Sequence, residues 1–556
     1  MMARQQPADT ELHSTLQRPS RVRTVSRARA AGFLFVAVVS GSSQAQAPRF
    51  APPPPCRAAA APALARLLGR PDARRAPVVA VLEPEARLTN DAHAHIAWAL
   101  ADRVRTRIAG SPQIAVETAG SVERAWAEAG GRPEQLTTSL GAALVVTGLV
   151  SSERDGAQVR VRFITPSDTS AWQGHFQYPS LSLDAIEDEI VTAIRRHFGS
   201  SLAARGPAAP KGTAYDALAR GDYFLALHDA GAADSARAAF ERALQADPGS
   251  ARAMERLARA YAVAIERGET AGGLRSQMAL REATSLIERV IRAEPALSDA
   301  WTTRALLQRV EDPARFTGAV TSHERAVRLA PRNADARHEY ARTLLLLGRD
   351  DAARTQVREA LAADRNRSPS LRLYGELEYL ARRYDASCAL ANASIGADSY
   401  DPWAYALRAR VRIKLGEFRD AFSDAETAAR LSRATWGDAL QFYATSVARD
   451  QDFVRAEARR LAQSRLRPGG ALDLREAVFL GMAYGASGDP SRAFDALSRS
   501  GPISAEMRSA LRDPAFDGLR SDPRFRRIGL SDGSRQAEPV SQSVPPARSG
   551  SSEPRR

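Results

Sequence analysis

After residue 212 the chain repeats itself with a period near 34 residues, and this repetition limits the possible folds more than any other feature. The closing positions of successive units are Pro248, Pro295, Pro331 and Arg365, which are 47, 36 and 34 residues apart. The first interval exceeds the period by 13 residues, which predicts an inserted loop around 267–276. A period of this length is typical of antiparallel helix pairs that stack, because one pair alone cannot bury its apolar face.

Small and bulky residues recur in a fixed order within the units. The clearest unit has Leu480, Gly481, Tyr484, Gly488, Asp489, Ala493 and Leu497 at the characteristic positions. This pattern resembles the tetratricopeptide repeat (TPR) family. The resemblance implies a superhelix of about seven to eight helix pairs over residues 213–530, including a C-terminal cap. The segments 366–400 and 432–472 fit the pattern poorly, so their register stays open.

A different pattern occupies residues 75–200, where short apolar runs alternate with helical periodicity and predict an α/β domain. The predicted strands are 77–82, 114–116, 144–150, 159–163 and 172–176. Long helices are predicted at 91–108 and 183–198, and shorter ones at 122–129 and 133–140.

The order of these elements resembles the TolB-like N-terminal domain over about 125 residues. Gly148, Arg160 and Trp172 occupy the positions of that family's G-S-V, V-R-V and L-W elements. In many bacterial proteins this domain precedes TPR repeats, often behind a Ser/Thr kinase, a cyclase or a winged helix. The present sequence shows a signal-like segment in that place, so no activity carries over. The resemblance implies an α/β domain (TolB-like) followed by an all-α TPR superhelix, whose closing element is 511–525.

Residues 1–47 have the three parts of a signal peptide in order. Five arginines between Arg18 and Arg29 precede the apolar run Ala30–Val39, and Ala45-Gln46-Ala47 is a cleavage motif. Ten apolar residues span about 15 Å, half of a bilayer core, so no permanent membrane span is predicted. We expect cleavage near Ala47 and a periplasmic or secreted protein; the alternative is a membrane anchor formed by an uncleaved segment.

Three further segments are predicted to connect or follow the folded parts. Residues 48–74 form a Pro/Ala-rich linker and residues 201–212 form a second linker. Residues 531–556 are rich in Ser, Pro and Arg and are predicted to be disordered.

Composition argues against several enzyme classes. The 556 residues include 78 Lys+Arg and 64 Asp+Glu, a net charge of +14, yet Lys211 and Lys414 are the only lysines. The sequence contains no P-loop, no kinase-type lysine motif and no H-E-x-x-H, G-x-S-x-G or G-x-G-x-x-G. We therefore expect no catalytic residues, no cofactor and no metal. Nucleic acid is not an expected partner, because the charge is spread and no reading module is present.

Three smaller groups of residues receive structural interpretations. His93 and His95 are predicted to point to different sides of a helix, which prevents them from sharing a metal. The acidic run 187–189 is predicted to be a solvated helix face. A disulfide between Cys56 and Cys388 is not expected, because Cys56 lies in the first linker and Cys388 fits a small core residue.

The first helix of each unit is expected to line a concave face through positions 2, 5, 9 and 12. Arginine occupies position 9 in three units, and guanidinium groups can bind carboxylates bidentately. We therefore predict as ligand an extended, possibly acidic, segment or the free C-terminus of another polypeptide. The predicted groove residues are Arg252, Arg259, Arg309, His338, Arg342, Arg372, Tyr379, Trp403 and Arg410.

These observations favour a non-catalytic interaction scaffold or adaptor that binds another protein or peptide. The first alternative is a sensor or signalling subunit in which the α/β domain binds a small molecule. A more remote alternative is a hydrolase with its site between the two domains. The sequence leaves the oligomeric state open.

Overall fold

The computed structural model describes residues 56, 67, 77–88, 93–109, 114–117, 122, 125, 126, 129, 130, 132–154, 156–199, 212–227, 231–266, 276–365, 367–432, 434–447 and 472–530. The predicted signal peptide, nearly all of both linkers and the predicted disordered tail lie outside these residues.

The N-terminal part contains a mixed sheet. Its strands are β1 (Val78–Val81), β2 (Glu85–Arg87), β3 (Ala115–Val116), β4 (Leu144–Glu153), β5 (Gly156–Ile164) and β6 (Trp172–Tyr178). The strand order is β3-β1-β4-β5-β6, and β2 also pairs with β4. The pairs that involve β1, β2 or β3 are parallel, whereas β4-β5 and β5-β6 are antiparallel.

Three helices accompany the sheet in the described part of the chain: α1 (Ala94–Ala109), α2 (Pro133–Ser139) and α3 (Leu183–Phe198). Apolar residues at helical spacing on α1 and α3, such as Leu100 and Ile190, join the inward-facing Val159 and Val161 of β5 in one core. The other five strands and the two long helices lie where the sequence predicts them, whereas β2 was not predicted.

The predicted solvated acidic face on α3 is wrong for Glu187. This residue is buried, whereas Glu189 is exposed. The Glu187 carboxylate accepts hydrogen bonds from Arg107 on α1, at 3.1 Å, and from the Tyr215 hydroxyl. These donors compensate its burial, and the sequence pattern of α3 alone could not reveal them.

Antiparallel helix pairs follow the sheet region. The described helices are α4 (Thr213–Ala226) with α5 (Ala232–Ala246), α6 (Ala251–Glu266) with α7 (Ser276–Ala293), α8 (Ser298–Glu311) with α9 (Ala319–Leu329), α10 (Ala334–Leu346) with α11 (Asp350–Ala363), α12 (Ser368–Leu380) with α13 (Tyr384–Ala397), α14 (Pro402–Leu415) with α15 (Phe418–Ser432), then α16 (Thr435–Val447), and α17 (Leu474–Ala486) with α18 (Pro490–Ser498). The segment 366–400, which the sequence left open, contains the regular pair α12/α13.

Successive first helices pack against one another from α4 through α6, α8, α10, α12 and α14 to α16, in addition to packing against their own second helices. Their shared side is here called the first-helix face. Close approach within pairs depends on small residues: a Cβ on Gly221 would lie 2.2 Å from the Phe240 ring, and one on Gly481 would lie 3.0 Å from Leu497. This packing produces a helical solenoid.

The end of the described part folds back onto the array. It consists of α19 (Ala505–Ala510), a 3₁₀ helix (Pro514–Leu519) and α20 (Pro523–Leu530). Phe516 and Leu519 are buried in one core cluster with residues of α14 to α18. No helix among the described residues has both the length and the apolar character needed to cross a bilayer.

The expectation that the two cysteines remain unpaired is wrong. Cys56 and Cys388 form a disulfide with a Cα–Cα distance of 6.3 Å, although 332 residues separate them in the sequence. Both are buried in a cluster that includes Tyr379, Leu407 and Val411. The fold brings residue 56 to α13, a proximity that neither local sequence indicated.

Candidate functional site

The nine residues predicted for the groove all lie on first helices. Arg252 and Arg259 are on α6, Arg309 on α8, His338 and Arg342 on α10, Arg372 and Tyr379 on α12, and Trp403 and Arg410 on α14. Most of them contact neighbouring helices rather than solvent, and their environments differ along the array.

Arg252 is exposed on α6, and no ion pair or hydrogen bond joins it to another described residue. Burial and the nearby Arg256 and Arg103 lower the pKa of its guanidinium, whereas the carboxylates of Asp222 and Glu255 act in the opposite direction. Arg256 and Arg103 themselves are held by Asp222 on α4, at 3.2 and 2.8 Å. Arg252 is therefore a guanidinium available to a carboxylate.

Ion pairs link the middle first helices. Arg259 on α6 contacts Asp335 on α10 at 2.7 Å. Arg309 on α8 has a side chain only 2% exposed, and it lies between Glu266 of α6 and Glu339 of α10. Glu266 and Glu339 lie outside positions 2, 5, 9 and 12 of the repeat, whereas Asp335 lies at position 2 but was not among the predicted groove residues.

The same cations hold the carboxylates ionised. Burial alone would raise the pKa of Glu339, but Arg309 and Arg342 outweigh it and lower that pKa to about 2. Arg259 likewise helps to hold the pKa of Asp335 well below its usual range, against the effect of burial. Charge attraction therefore exceeds the desolvation cost in this part of the array.

His338 is buried rather than open to a ligand, and a second histidine on α9, His323, is buried nearby. The Nδ1 atom of His338 lies 3.2 Å from the Ser370 hydroxyl, and Nε2 of His323 lies 3.0 Å from the Thr343 hydroxyl. Burial lowers the pKa of each imidazole to about 3. Both rings are therefore neutral at physiological pH.

Arg372 and Trp403 occupy less buried positions. Arg372 donates to Asp401 at 2.9 Å and keeps 31% of its side chain exposed. The Trp403 ring stacks on Trp436 with 3.9 Å between the ring centroids, and the Arg475 guanidinium lies 4.7 Å from the Trp403 ring centroid. This aromatic stack is a half-buried feature of the C-terminal pairs.

Tyr379 and Arg410 converge on a carboxylate of the protein itself. The Tyr379 hydroxyl donates to Asp513 Oδ1 at 2.9 Å, and Arg410 Nη2 lies 2.5 Å from Asp513 Oδ2. Tyr379 is fully buried and Asp513 is 2% exposed. Arg410 also forms a bidentate pair with Glu376, at 2.9 and 3.0 Å. A carboxylate is therefore bound where the sequence predicts one, but it belongs to the same polypeptide.

Asp513 is part of a longer contact. Residues 504–519, here called the C-terminal segment, cross the C-terminal ends of four first helices. The Ala505 amide donates to Pro313 O, Arg512 donates to Leu345 O, and Lys414 donates to Pro514 O, at 2.7, 3.1 and 3.1 Å. A 16-residue stretch thus contacts positions spread from α8 to α17.

A small apolar crevice lies in the N-terminal α/β part, between the sheet and helices α1 and α3. Its lining includes Val81, Leu100, Val104, Val146 and Ile190, and its cavity volume is about 10 Å³. This is about the space that one water molecule needs. Within the described ranges, no group of three or more His, Cys, Asp or Glu side chains could hold a metal ion.

The contact between α3 and α4 joins the α/β part to the first helix pair. The Tyr215 hydroxyl donates to Glu187, and the Arg103 guanidinium lies 4.7 Å from the Tyr215 ring centroid. Burial raises the pKa of Tyr215 well above its ordinary value. These groups therefore neutralise and satisfy one another, as structural interface residues do.

The match to a family model agrees with the helical architecture. Residues 314–377 match the tetratricopeptide repeat family model. No curated protein matches the sequence. Similar solved structures include a thermophilic TPR protein of Thermus thermophilus, with 22% identity over 36% of this chain and 98% of that protein, and a TM-score of 0.30.

Two larger proteins are also similar in structure. The Cut9–Hcn1 hetero-tetramer of APC/C shows 11% identity over 63% of the present sequence and 58% of its own matched polypeptide, with a TM-score of 0.40. Yeast Tom70 shows 14% identity over 63% of the present sequence and 78% of its own, with a TM-score of 0.36. With the family match and the observed helix pairs, the C-terminal region of this protein contains tetratricopeptide repeats.

Proposed function

We propose that this protein is a non-catalytic TPR scaffold whose first-helix face binds an extended acidic segment of a partner protein. The main support for the proposal is the binding of the Asp513 carboxylate by Tyr379 and Arg410. In that contact the Asp513 carboxylate, from a stretch with three acidic and two basic residues, meets a guanidinium and a phenol hydroxyl on the first-helix face.

The chemistry of the remaining arginines supports the same class of ligand. Arg252 is exposed, and Arg342 keeps 30% of its side chain exposed. A guanidinium presents a planar set of donors that fits a carboxylate, and such charge-assisted bonds are stronger than neutral ones. TPR solenoids use extended surfaces of this kind to bind other polypeptides.

We further propose that the protein is exported and that residues 75–200 form a TolB-like domain. Export is supported by the signal-like order of residues 1–47 and by the Cys56–Cys388 disulfide, because disulfides persist in oxidising compartments. The TolB-like assignment rests on the order of strands and helices and on Gly148, Arg160 and Trp172.

Matched peptides test the proposed ligand class. Fluorescein-labelled peptides of about twelve residues are prepared in pairs that have Asp/Glu in one member and Asn/Gln in the other. Anisotropy at low salt is expected to show at least about tenfold tighter binding of the acidic member, which corresponds to one charge-assisted bond. Added salt should reduce the difference.

Three variants locate the binding surface. Arg252→Ala and Arg342→Ala are expected to weaken acidic-peptide binding, and Arg342→Ala leaves Glu266 paired with Arg309. Arg292→Ala, at an exposed position on the second helix α7, is the matched control and should bind like the wild type. Equal affinity for acidic and amide peptides would contradict the proposal.

A further inference from the structure

We infer that the C-terminal segment, residues 504–519, is a resident ligand of the first-helix face and competes there with the partner's acidic segment. This inference rests on the proposed function, since it assigns a regulatory element to the same surface. The segment would keep the face occupied until a partner, or a change in conditions, releases its polar contacts.

The two sides of the segment differ in chemistry. One side is apolar: Met507, Leu511, Phe516 and Leu519 are buried in the core cluster of the C-terminal helix pairs. These side chains fix the segment to α14–α18, including a close approach of Leu519 to Gly485 on α17. Burial of Phe516 and Leu519 makes their part of the attachment the permanent one, whereas Met507 and Leu511 lie beside Arg508 and Arg512 and would leave the core when the polar side opens.

The other side is polar and faces α8 to α14 together with their connecting turns. Arg508 donates to Ala314 O, and Arg512 donates to the Asp350 carboxylate and to Leu345 O. Near the turn after α12, Asp517 pairs with Arg382 at 2.7 Å. Glu506 lies 3.9 Å from Arg342. These contacts are hydrogen bonds and ion pairs, with the small Ala505 inserted near Phe316.

This division allows the two sides to separate. The polar contacts can open while Phe516 and Leu519 stay in the C-terminal core, so release of the face does not require the array to unfold. The groups exposed on opening would be Tyr379, Arg410, Arg382 and the backbone oxygens of Ala314 and Leu345. That set of cations and acceptors suits an extended peptide that carries both a carboxylate and donors.

Asp513 is the central contact because it is the most buried charged group of the segment. Releasing it leaves Arg410 paired with Glu376, so no buried cation is left alone. The cost of opening at this position is therefore limited to the bonds of Asp513 itself. A partner carboxylate could occupy the same place on Tyr379 and Arg410.

Binding of the segment in trans tests the inference in the full-length protein. The probe is a fluorescein-labelled peptide that copies residues 504–519. The loosened variant is Arg512→Ala/Asp513→Ser, in which serine retains the cap that Asp513 provides to the Ala515 amide. The control is Arg419→Ala/Glu426→Ala, at exposed positions on α15.

The loosened variant is expected to bind the probe at least about tenfold more tightly than the wild type and the control. Adding Arg410→Ala to the loosened variant should remove that gain. Equal affinity of wild type and loosened variant, or no binding to a loosened variant that is folded by circular dichroism, would overturn the inference. Equal binding of acidic and amide peptides, in contrast, would overturn the proposed function. The comparison of wild type and loosened variant with the 504–519 probe would still test the inference.

If the loosened variant does not fold, hydrogen exchange of the wild type shows whether the C-terminal segment opens. Amides of 505–512 are expected to exchange faster than those of 479–485 on α17, because the polar side opens while the core stays closed. Equal protection of both stretches would show that the segment is only a fixed part of the core.

Discussion

The Asp513 carboxylate lies 2.5 Å from the Arg410 guanidinium although 103 residues separate them in the sequence. Arg410 belongs to α14, the first helix of the sixth described pair, and Asp513 belongs to the segment that follows the last described pair. Their contact closes the array on itself. It also shows that an arginine of the first-helix face binds a carboxylate of the same polypeptide.

Removing either partner of this contact should have unequal effects on stability. Arg410→Ala leaves Asp513 buried with only the Tyr379 hydroxyl and local amides, so we expect a loss of about 3 kcal/mol in the free energy of unfolding. Asp513→Ala should cost less, because Arg410 keeps Glu376. Urea denaturation measures both. Equal losses, both within about 0.5 kcal/mol of the exposed control Arg292→Ala, would contradict the prediction.

The disulfide should contribute strongly to stability. Closing a loop of 332 residues removes much of the unfolded polypeptide's freedom, by about 6 kcal/mol on the chain-entropy estimate. Reductant is therefore expected to lower the melting temperature of the wild type.

The matched control is Cys56→Ala/Cys388→Ala. Its melting temperature should equal that of the reduced wild type and should not change when reductant is added. Alkylation of both thiols in the denatured protein without any reductant would refute the pairing, because the sequence has no other cysteine.

Mild acid should destabilise the array through its two buried histidines. Each has a pKa of about 3 in the fold, against about 6.5 when unfolded. The unfolded protein therefore binds more protons between these pH values, and the free energy of unfolding decreases as the pH is lowered. At pH 5 the expected loss is about 2 kcal/mol per histidine. The charged groups around the two rings are Arg259, Arg309, Arg367, Arg372, Asp335 and Glu339.

Urea midpoints at pH 7 and pH 5 measure this loss. Glu339 does not contribute in this window, because its pKa of about 2 keeps it ionised and its stabilising effect is lost only below about pH 4.5. His323→Gln/His338→Asn should therefore lose much less stability than the wild type between these pH values. An equal loss in both proteins would assign the acid sensitivity to other groups.

A second buried charge network should be costly to break. Asp424 on α15 accepts from Arg408 at 2.7 and 2.9 Å and from Arg412 at 2.6 Å, and all three side chains are at most 4% exposed. Asp424→Ala leaves two buried cations without this anion, so we expect a loss of about 3–5 kcal/mol. Glu426→Ala, an exposed position on the same helix, should stay within about 0.5 kcal/mol of the wild type. A similar small change for both would contradict the network's role.

The helix pairs were predictable because the residues that pack the two helices of a pair lie close together in the sequence. Small residues such as Gly481 and bulky ones such as Leu497 recur with the period, and the period fixes where first and second helices begin. The sheet was predictable for a similar reason, since alternation in β5 places Val159 and Val161 inward and Arg160 outward.

The state of the groove residues was not predictable from the same pattern. Position 9 correctly located Arg259, Arg342 and Arg410 on first helices, but not the carboxylates Asp335, Glu266 and Asp513 that they contact. Curvature of a solenoid is the sum of small rotations between pairs, which the sequence does not display. Contacts between residues that are far apart in the sequence, including the disulfide, can therefore be identified only in the folded protein.

Hydrogen–deuterium exchange of the full-length protein, with a saturating acidic peptide and with its amide counterpart, shows whether the first-helix face binds acidic polypeptide in place of the C-terminal segment. Only the acidic peptide is expected to slow exchange on the first helices α6, α10 and α12 and to speed exchange of the amides of residues 505–512. Slowed exchange confined to second helices such as α7 and α11, or the same result with both peptides, would contradict it.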